Sequence, residues 1–156
     1  MMEKRQLPDF ISLYNDWKQL SNGSRAELKR AATPDELLAL PAFYRLFSGR
    51  TTNEGDKRAF QRLIFCIPCI EHTDEPIGLG SALARYSKGL SEKRLFQVVR
   101  SEAPNDMIQL RRVLKMLKPT VKCNWSMAAK QLWYWNERAK RDLLEDFYLA
   151  QTVDQK

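Results

Sequence analysis

Residues 105–118 read NDMIQLRRVLKMLK, and the spacing of their apolar positions decides the fold class. Met107, Leu110, Leu114 and Leu117 recur at three and four residues, the period that gathers side chains on one face of an α-helix. Asn105 is placed to cap the start, and Pro119, which has no amide to donate, must end the helix. This reading leaves Ile108, Arg111, Lys115 and Lys118 on an outer stripe.

The same period extends in both directions. Downstream, Ala128, Leu132, Trp135, Ala139 and Leu143 stay in register, which predicts one long helix from about Trp125 to Ala150. Upstream, Ser91 is placed to cap a helix over 92–102 with Leu95, Phe96 and Val99 inward and Lys93, Gln97 and Arg100 outward. Thr73–Gly80 carries Pro76, Gly78 and Gly80 and reads as a connection. Before it, Phe60, Leu63, Ile64 and Ile67 mark a buried helix from Asp56 that Pro68 must kink or end. Pro41 opens a short helix through Phe43, Tyr44, Leu46 and Phe47, and Ser48–Gly55 is a loop. Thr33-Pro34-Asp35-Glu36 and Ser24-Arg25-Ala26-Glu27 both read as capping boxes. Phe10, Leu13, Tyr14, Trp17 and Leu20 mark the first helix, entered at Pro8 and stopped at Ser21-Asn22-Gly23. His72 falls in the connection after the Pro68 helix. No segment alternates as a strand does. The expectation is an all-α chain, a compact helical bundle of roughly six to eight helices forming a single domain over 1–156.

Charge is distributed unevenly. The chain carries +7, yet residues 81–141 hold fourteen Lys or Arg against four acids, a net of +10, while residues 1–80 balance. A positive field confined to one part of the chain points to a polyanion, nucleic acid or an acidic protein, rather than to a small-molecule substrate. Arg111, Arg112, Lys115 and Lys118 have only Asp106 as an acid on their own helix, so they form the first candidate for a phosphate backbone. Arg100 belongs to the neighbouring stripe. On the last helix Tyr134, Arg138 and Arg141 fall on one side, with Glu137 and Glu145 each four residues from Arg141 and able to pair with it. The longest apolar run, Leu63–Ile70, is far short of the roughly 20 residues that a membrane helix needs. No apolar signal core follows Met1, so cytoplasmic placement with no membrane partner is expected.

Signals for catalysis are weak. Cys66-Ile67-Pro68-Cys69 has the spacing of a redox pair, but Phe65, Ile67 and Ile70 surround it with apolar groups and no βαβ unit presents it. Adding His72 and Cys123 makes a four-ligand zinc set without a second close pair, and core packing is the simpler account. Gly78-Leu79-Gly80 lacks the strand and later glycine of a phosphate loop. Within Trp133-Tyr134-Trp135, Trp135 is expected in the core, and Trp133 or Tyr134 as an interface anchor or, less favoured, a base-stacking platform. No catalytic residue, cofactor or metal is expected.

Several blocks in order resemble one known family. They are Asn22-Gly23-Ser24 with Lys29-Arg30, Pro34-Asp35-Glu36-Leu37, Pro41-Ala42-Phe43-Tyr44-Arg45-Leu46, Leu63-Ile64-Phe65-Cys66, Leu79-Gly80-Ser81-Ala82-Leu83-Ala84, Arg94-Leu95-Phe96-Gln97, Asp106 to Arg112, and Leu143-Leu144-Glu145-Asp146-Phe147. Together they look like the CasB family, the small subunit of the type I-E CRISPR surveillance complex Cascade. The resemblance implies a non-catalytic helical subunit present as a pair. Its implied partners are a second copy of itself, the backbone and large subunits, the guide RNA, and the target and displaced DNA strands of the R-loop. It implies phosphate-facing roles for Arg30, Arg94, Arg111, Arg112, Arg138 and Lys140. Glu137 departs from the pattern, standing where a basic neighbour of Arg138 is implied. The rival expectations are a stand-alone basic helical DNA binder and a purely structural assembly subunit.

Overall fold

A computed structural model describes residues 7–50, 53–86, 92–117 and 119–154. Asp9 accepts from the Ser12 amide at 2.9 Å and starts α1 (Phe10–Gln19), which buries Phe10, Leu13, Tyr14 and Trp17. Helix α2 (Asn22–Arg30) begins earlier than the capping-box reading placed it. Ser21, not Ser24, accepts the amide that needs a partner, at 3.1 Å, and Ser24 is turned inward to accept from Arg45 Nη1 at 2.9 Å. At Thr33 the hydroxyl half of the box forms, Thr33 Oγ1 accepting from the Glu36 amide at 3.3 Å, while Glu36 Oε2 reaches one residue further back and accepts from the Ala32 amide at 2.6 Å. What it caps is a tight 3-10 segment, Pro34–Ala39.

After α3 (Pro41–Phe47), Asn53 caps α4 (Glu54–Cys66), which buries Phe60, Leu63, Ile64, Phe65 and Cys66. Pro68 ends it as expected, through a 3-10 turn over Ile67–Cys69. The chain then does what its sequence did not advertise. Ile70–His72 (β1) pairs in parallel with Val121–Cys123 (β2), Ile70 opposite Val121 and His72 opposite Cys123. Neither strand is long enough for its alternation to stand out, so His72 lies on a strand rather than in a loop. Both flanks are stitched: the Thr73 amide donates to Cys123 O at 2.9 Å and the Asn124 amide to Ile77 O at 2.8 Å.

Between the strands lie α5 (Leu79–Tyr86), α6 (Glu92–Arg100) and α7 (Asn105–Met116). The connection expected over Thr73–Gly80 overlaps only the first two residues of α5, and the helix itself was not anticipated. Gly80 is there for contact: a Cβ at this position would lie 2.5 Å from Leu143 O and 2.8 Å from Asp146 Cβ. Its missing side chain lets α5 seat directly on the final helix. The cap expected at Ser91 lies outside the described residues. At α7 Asn105 is already helical and no side chain caps the start.

The long helix expected over 125–150 is two helices, α8 (Trp125–Trp133) and α9 (Glu137–Asp154). Asn124 starts the first, and Asn136 starts the second by accepting from the Ala139 amide at 2.9 Å. Arg62 from α4 closes the α8 end, donating to Leu132 O at 2.7 Å and Trp133 O at 2.8 Å, a cation at the negative helix terminus. Burial lowers the Arg62 pKa, and nearby Asp106 opposes the shift. The described residues thus form nine α-helices, more than the six to eight expected, and the all-α class holds around a minimal strand pair. Trp125, Phe43, Phe60, Phe65 and Phe147 fill the centre, each worth about 1.5–3 kcal/mol of apolar burial. Among the described residues no helix is long and apolar enough to cross a membrane.

Candidate nucleic-acid interface

Helix α7 sets the site: α6 and α4 pack on it, and Arg111 and Lys115 reach from it to the last carbonyls of α2. Met107, Leu110 and Leu114 are buried as read. Arg111 is not on the outer stripe: it is only 2% exposed. Its Nη2 donates to Leu28 O at 3.1 Å and to Lys29 O, and its guanidinium carbon lies 4.3 Å from the centre of the Phe65 ring. Arg111 is therefore a cation at the carbonyl end of α2, stacked on an aromatic face, and the expectation that it faces phosphate is corrected. The signal was present in the spacing, since Arg111 follows Met107 by four residues and precedes Leu114 by three.

Arg112 and Lys115 are exposed. Lys115 Nζ donates to Lys29 O at 3.1 Å, which draws Lys29 and Arg30 of α2 toward α7. Across the other side, Arg94 Nη1 of α6 donates to Met116 Sδ at 3.2 Å. Arg112 lies one turn before Met116 and shares its face. Arg30, Lys29, Lys115, Arg112 and Arg94 thus line one surface drawn from α2, α7 and α6. Among the described residues none of them closes an ion pair, so their charge is available to a partner. Lys29 was missed as a site residue because residues 1–80 balance as a whole. Arg100 is exposed at the end of α6, its guanidinium 5.1 Å from the Phe96 ring centre. Lys118 lies outside the described residues.

Lys140 is the second correction. It is 6% exposed, its Nζ 3.1 Å from Asp106 Oδ2 and 2.8 Å from Ser101 O. Trp135 Nε1 donates to the same Asp106 oxygen at 2.9 Å. Asp106, the acid that seemed to offset α7, is 2% exposed and spent on this internal network. Arg138 and Arg141 are exposed, and among the described residues neither pairs with Glu137 or Glu145. The break after α8 turns Tyr134 outward at 51% exposure while Trp133 packs on Phe60 with ring centres 5.1 Å apart. Arg138 and Lys130, a cation the sequence reading passed over, line a cleft with it.

Cys66, Cys69 and Cys123 are free and buried. Burial raises all three thiol pKa values, that of Cys123 to about 12, with the neighbouring Cys69 adding to the shift at Cys66 and the Arg111 charge opposing it at Cys69. His72 is used by the frame. Its Nδ1 accepts from the Trp125 amide at 3.0 Å, which leaves Nε2 to donate to Asp74 Oδ1 at 2.9 Å. Among the described residues no group of three or more His, Cys, Asp or Glu is arranged to hold a metal.

A surface of unpaired cations on a helical frame narrows the function class, and comparison with known proteins narrows it further. Residues 24–148 match the family described as CRISPR-associated protein Cse2. The chain belongs to the Cse2 family. A relative of that kind, the CRISPR system Cascade subunit CasB of Escherichia coli (strain K12), is 39% identical over 153 residues, spanning 91% of this chain and 94% of the relative. The fold agrees with a chain in the crystal structure of E. coli Cascade bound to a PAM-containing double-stranded DNA target, at a TM-score of 0.88 and 38% identity over 95% of this chain and 99% of that one. The crystal structure of M. ruber CasB shares the fold at a TM-score of 0.69 and 14% identity, covering 92% of this chain and 94% of that one. The family resemblance read from the ordered blocks is thereby established.

Proposed function

We propose that this chain is the non-catalytic small subunit of a type I-E CRISPR RNA-guided surveillance complex. It binds nucleic-acid backbone through exposed cations and so holds guide RNA, target strand and displaced strand in the R-loop. The observation that carries this reading is the surface formed by Arg30, Lys115, Arg112 and Arg94, none ion-paired among the described residues, on a chain 39% identical to E. coli CasB. Arg100, Lys118, Arg138 and Arg141 extend the same role. Arg111 supports the surface from beneath, and Lys140 ties α9 to the connection between α6 and α7. Exchange of a DNA duplex for a guide–target heteroduplex is nearly balanced in energy, so several modest backbone contacts shift it usefully. Sequence reading belongs to guide pairing and cleavage to another protein.

The partners are the backbone and large subunits of the assembly and a second copy of this chain, in the cytoplasm. One continuous buried cluster running from Phe10 to Phe147 supports treating residues 1–156 as a single domain. The test is Arg112→Glu with Lys115→Glu in the assembled complex. Target-DNA binding is expected to fall while the complex still assembles, and the slope of log affinity against log salt is expected to drop by about one per phosphate contact removed. Loss of assembly with intact DNA binding by what remains assembled would instead favour the purely structural subunit.

A further inference from the structure

The turn after α8 displays one side chain. Trp133 is held inward against Phe60 and Phe10, and Trp135 is tied by its indole N–H to Asp106. Tyr134 lies between these two anchored rings and is pushed out, 51% exposed. Beside it Met127, also exposed, lines the same cleft of about 470 Å3 between α8 and α9. Pockets that take small organic groups span about 300–1,000 Å3.

The cleft carries both signs of charge. Lys130 of α8 and Arg138 of α9 line it, and so do Asp142 and Asp146 of α9, yet among the described residues no ion pair joins the two sets. A lone phosphate would meet the two carboxylates. A lysine or arginine from a protein partner would meet the two cations. A nucleotide carries what each part asks for: an anionic phosphate, a flat π-face, and on cytosine, adenine and guanine an amino edge that donates to a carboxylate.

We infer that this cleft takes one unpaired nucleotide, its base laid on Tyr134 and Met127, its phosphate toward Lys130 and Arg138, and its amino edge toward Asp142 and Asp146. The inference rests on the nucleic-acid reading above and adds to it a contact with the base. Such a contact is insensitive to salt, unlike the backbone contacts, and it requires a single strand.

The experiment measures anisotropy of labelled oligomers of about 15 nucleotides with the purified full-length chain. Oligomers of deoxycytidine, thymidine and abasic sugar-phosphate have equal charge. Deoxycytidine is expected to bind more tightly than the abasic strand by about fivefold or more, and more tightly than thymidine, which has no amino group. Tyr134→Ala should remove the advantage of bases over the abasic strand, and Tyr134→Phe should keep it. Asp142→Asn with Asp146→Asn should remove the preference for deoxycytidine over thymidine. Equal affinity for base-bearing and abasic strands overturns the inference, as does a Tyr134→Ala variant that weakens all three alike. A Tyr134→Ala variant that keeps every oligomer affinity but no longer enters the assembled complex assigns the cleft to a protein partner and also overturns it. Arg112→Glu with Lys115→Glu should weaken all three strands by one factor and leave the base advantage intact. Failure of the wild-type chain to bind any strand would remove the nucleic-acid reading itself, a result distinct from the others.

Discussion

Arg111 stacks on Phe65, its guanidinium carbon 4.3 Å from the ring centre, and from there reaches the last carbonyls of α2. Its Nε and Nη1 meet no oxygen or nitrogen acceptor among the described residues, so the aromatic face is what compensates the charge on that side. Arg111→Ala leaves the carbonyls of Leu28 and Lys29 without this donor and opens a void over Phe65. Stability should fall by about 2–4 kcal/mol, read as a lower urea midpoint. Arg112→Ala, one residue on and exposed, should stay within about 0.5 kcal/mol of the parent.

Lys140 and Asp106 form a buried pair joined by Ser101 and Trp135. Lys140→Ala strands a carboxylate in the interior, a change that typically costs about 3–5 kcal/mol. Replacing both partners, Lys140→Met with Asp106→Leu, should recover much of that loss. A double-mutant cycle in chemical denaturation checks it, and independent additive losses would contradict the pairing.

Gly80 seats α5 on α9 by having no side chain. In Gly80→Ala the new methyl would stand 2.5 Å from Leu143 O, and backbone cannot swing aside as a side-chain tip can. A loss of about 1–3 kcal/mol is expected, visible as a lower Tm. Gly49, with φ of +80° and nothing near its absent Cβ, should respond to alanine through backbone strain alone.

Asp146 has its pKa raised by burial and then by the charges of Asp142 and Glu145. A carboxylate whose folded pKa lies above its unfolded value binds protons more readily when folded, so its charge weakens the fold as pH rises through the folded pKa. Asp146→Asn should therefore raise Tm at neutral pH, by an amount equivalent to about 0.3 kcal/mol for one like-charge helical pair. The gain should disappear as pH falls below the folded pKa. Thermal melts across that range check the sign.

The helical class was legible because α1, α4 and α7 each repeat apolar residues at three and four positions over more than two turns. What escaped was set by contacts distant in sequence. The α8–α9 break depends on Asn136 accepting an amide and on Arg62, some seventy residues upstream, closing the α8 end. The Leu132, Trp135, Ala139 spacing runs across that break unchanged, so periodicity alone could not find it. The strand pair depends on partners about fifty residues apart. For the candidate surface, counting acids along one helix singled out Arg111, although its spacing from Met107 and Leu114 placed it inside. Lys29 and Lys130 went unseen for the opposite reason, because each joins cations contributed by other helices.

The β1–β2 pair has a consequence for how the chain reaches this form. Helices α5, α6 and α7 leave from His72 and return at Val121, so pairing the two strands must close a loop of about fifty residues before three ladder positions repay the entropy. Helices and their nearest neighbours should be in place first, with the ribbon acting as a late buckle. Substitutions at Ile70 or Val121 are then expected to speed unfolding far more than they slow folding.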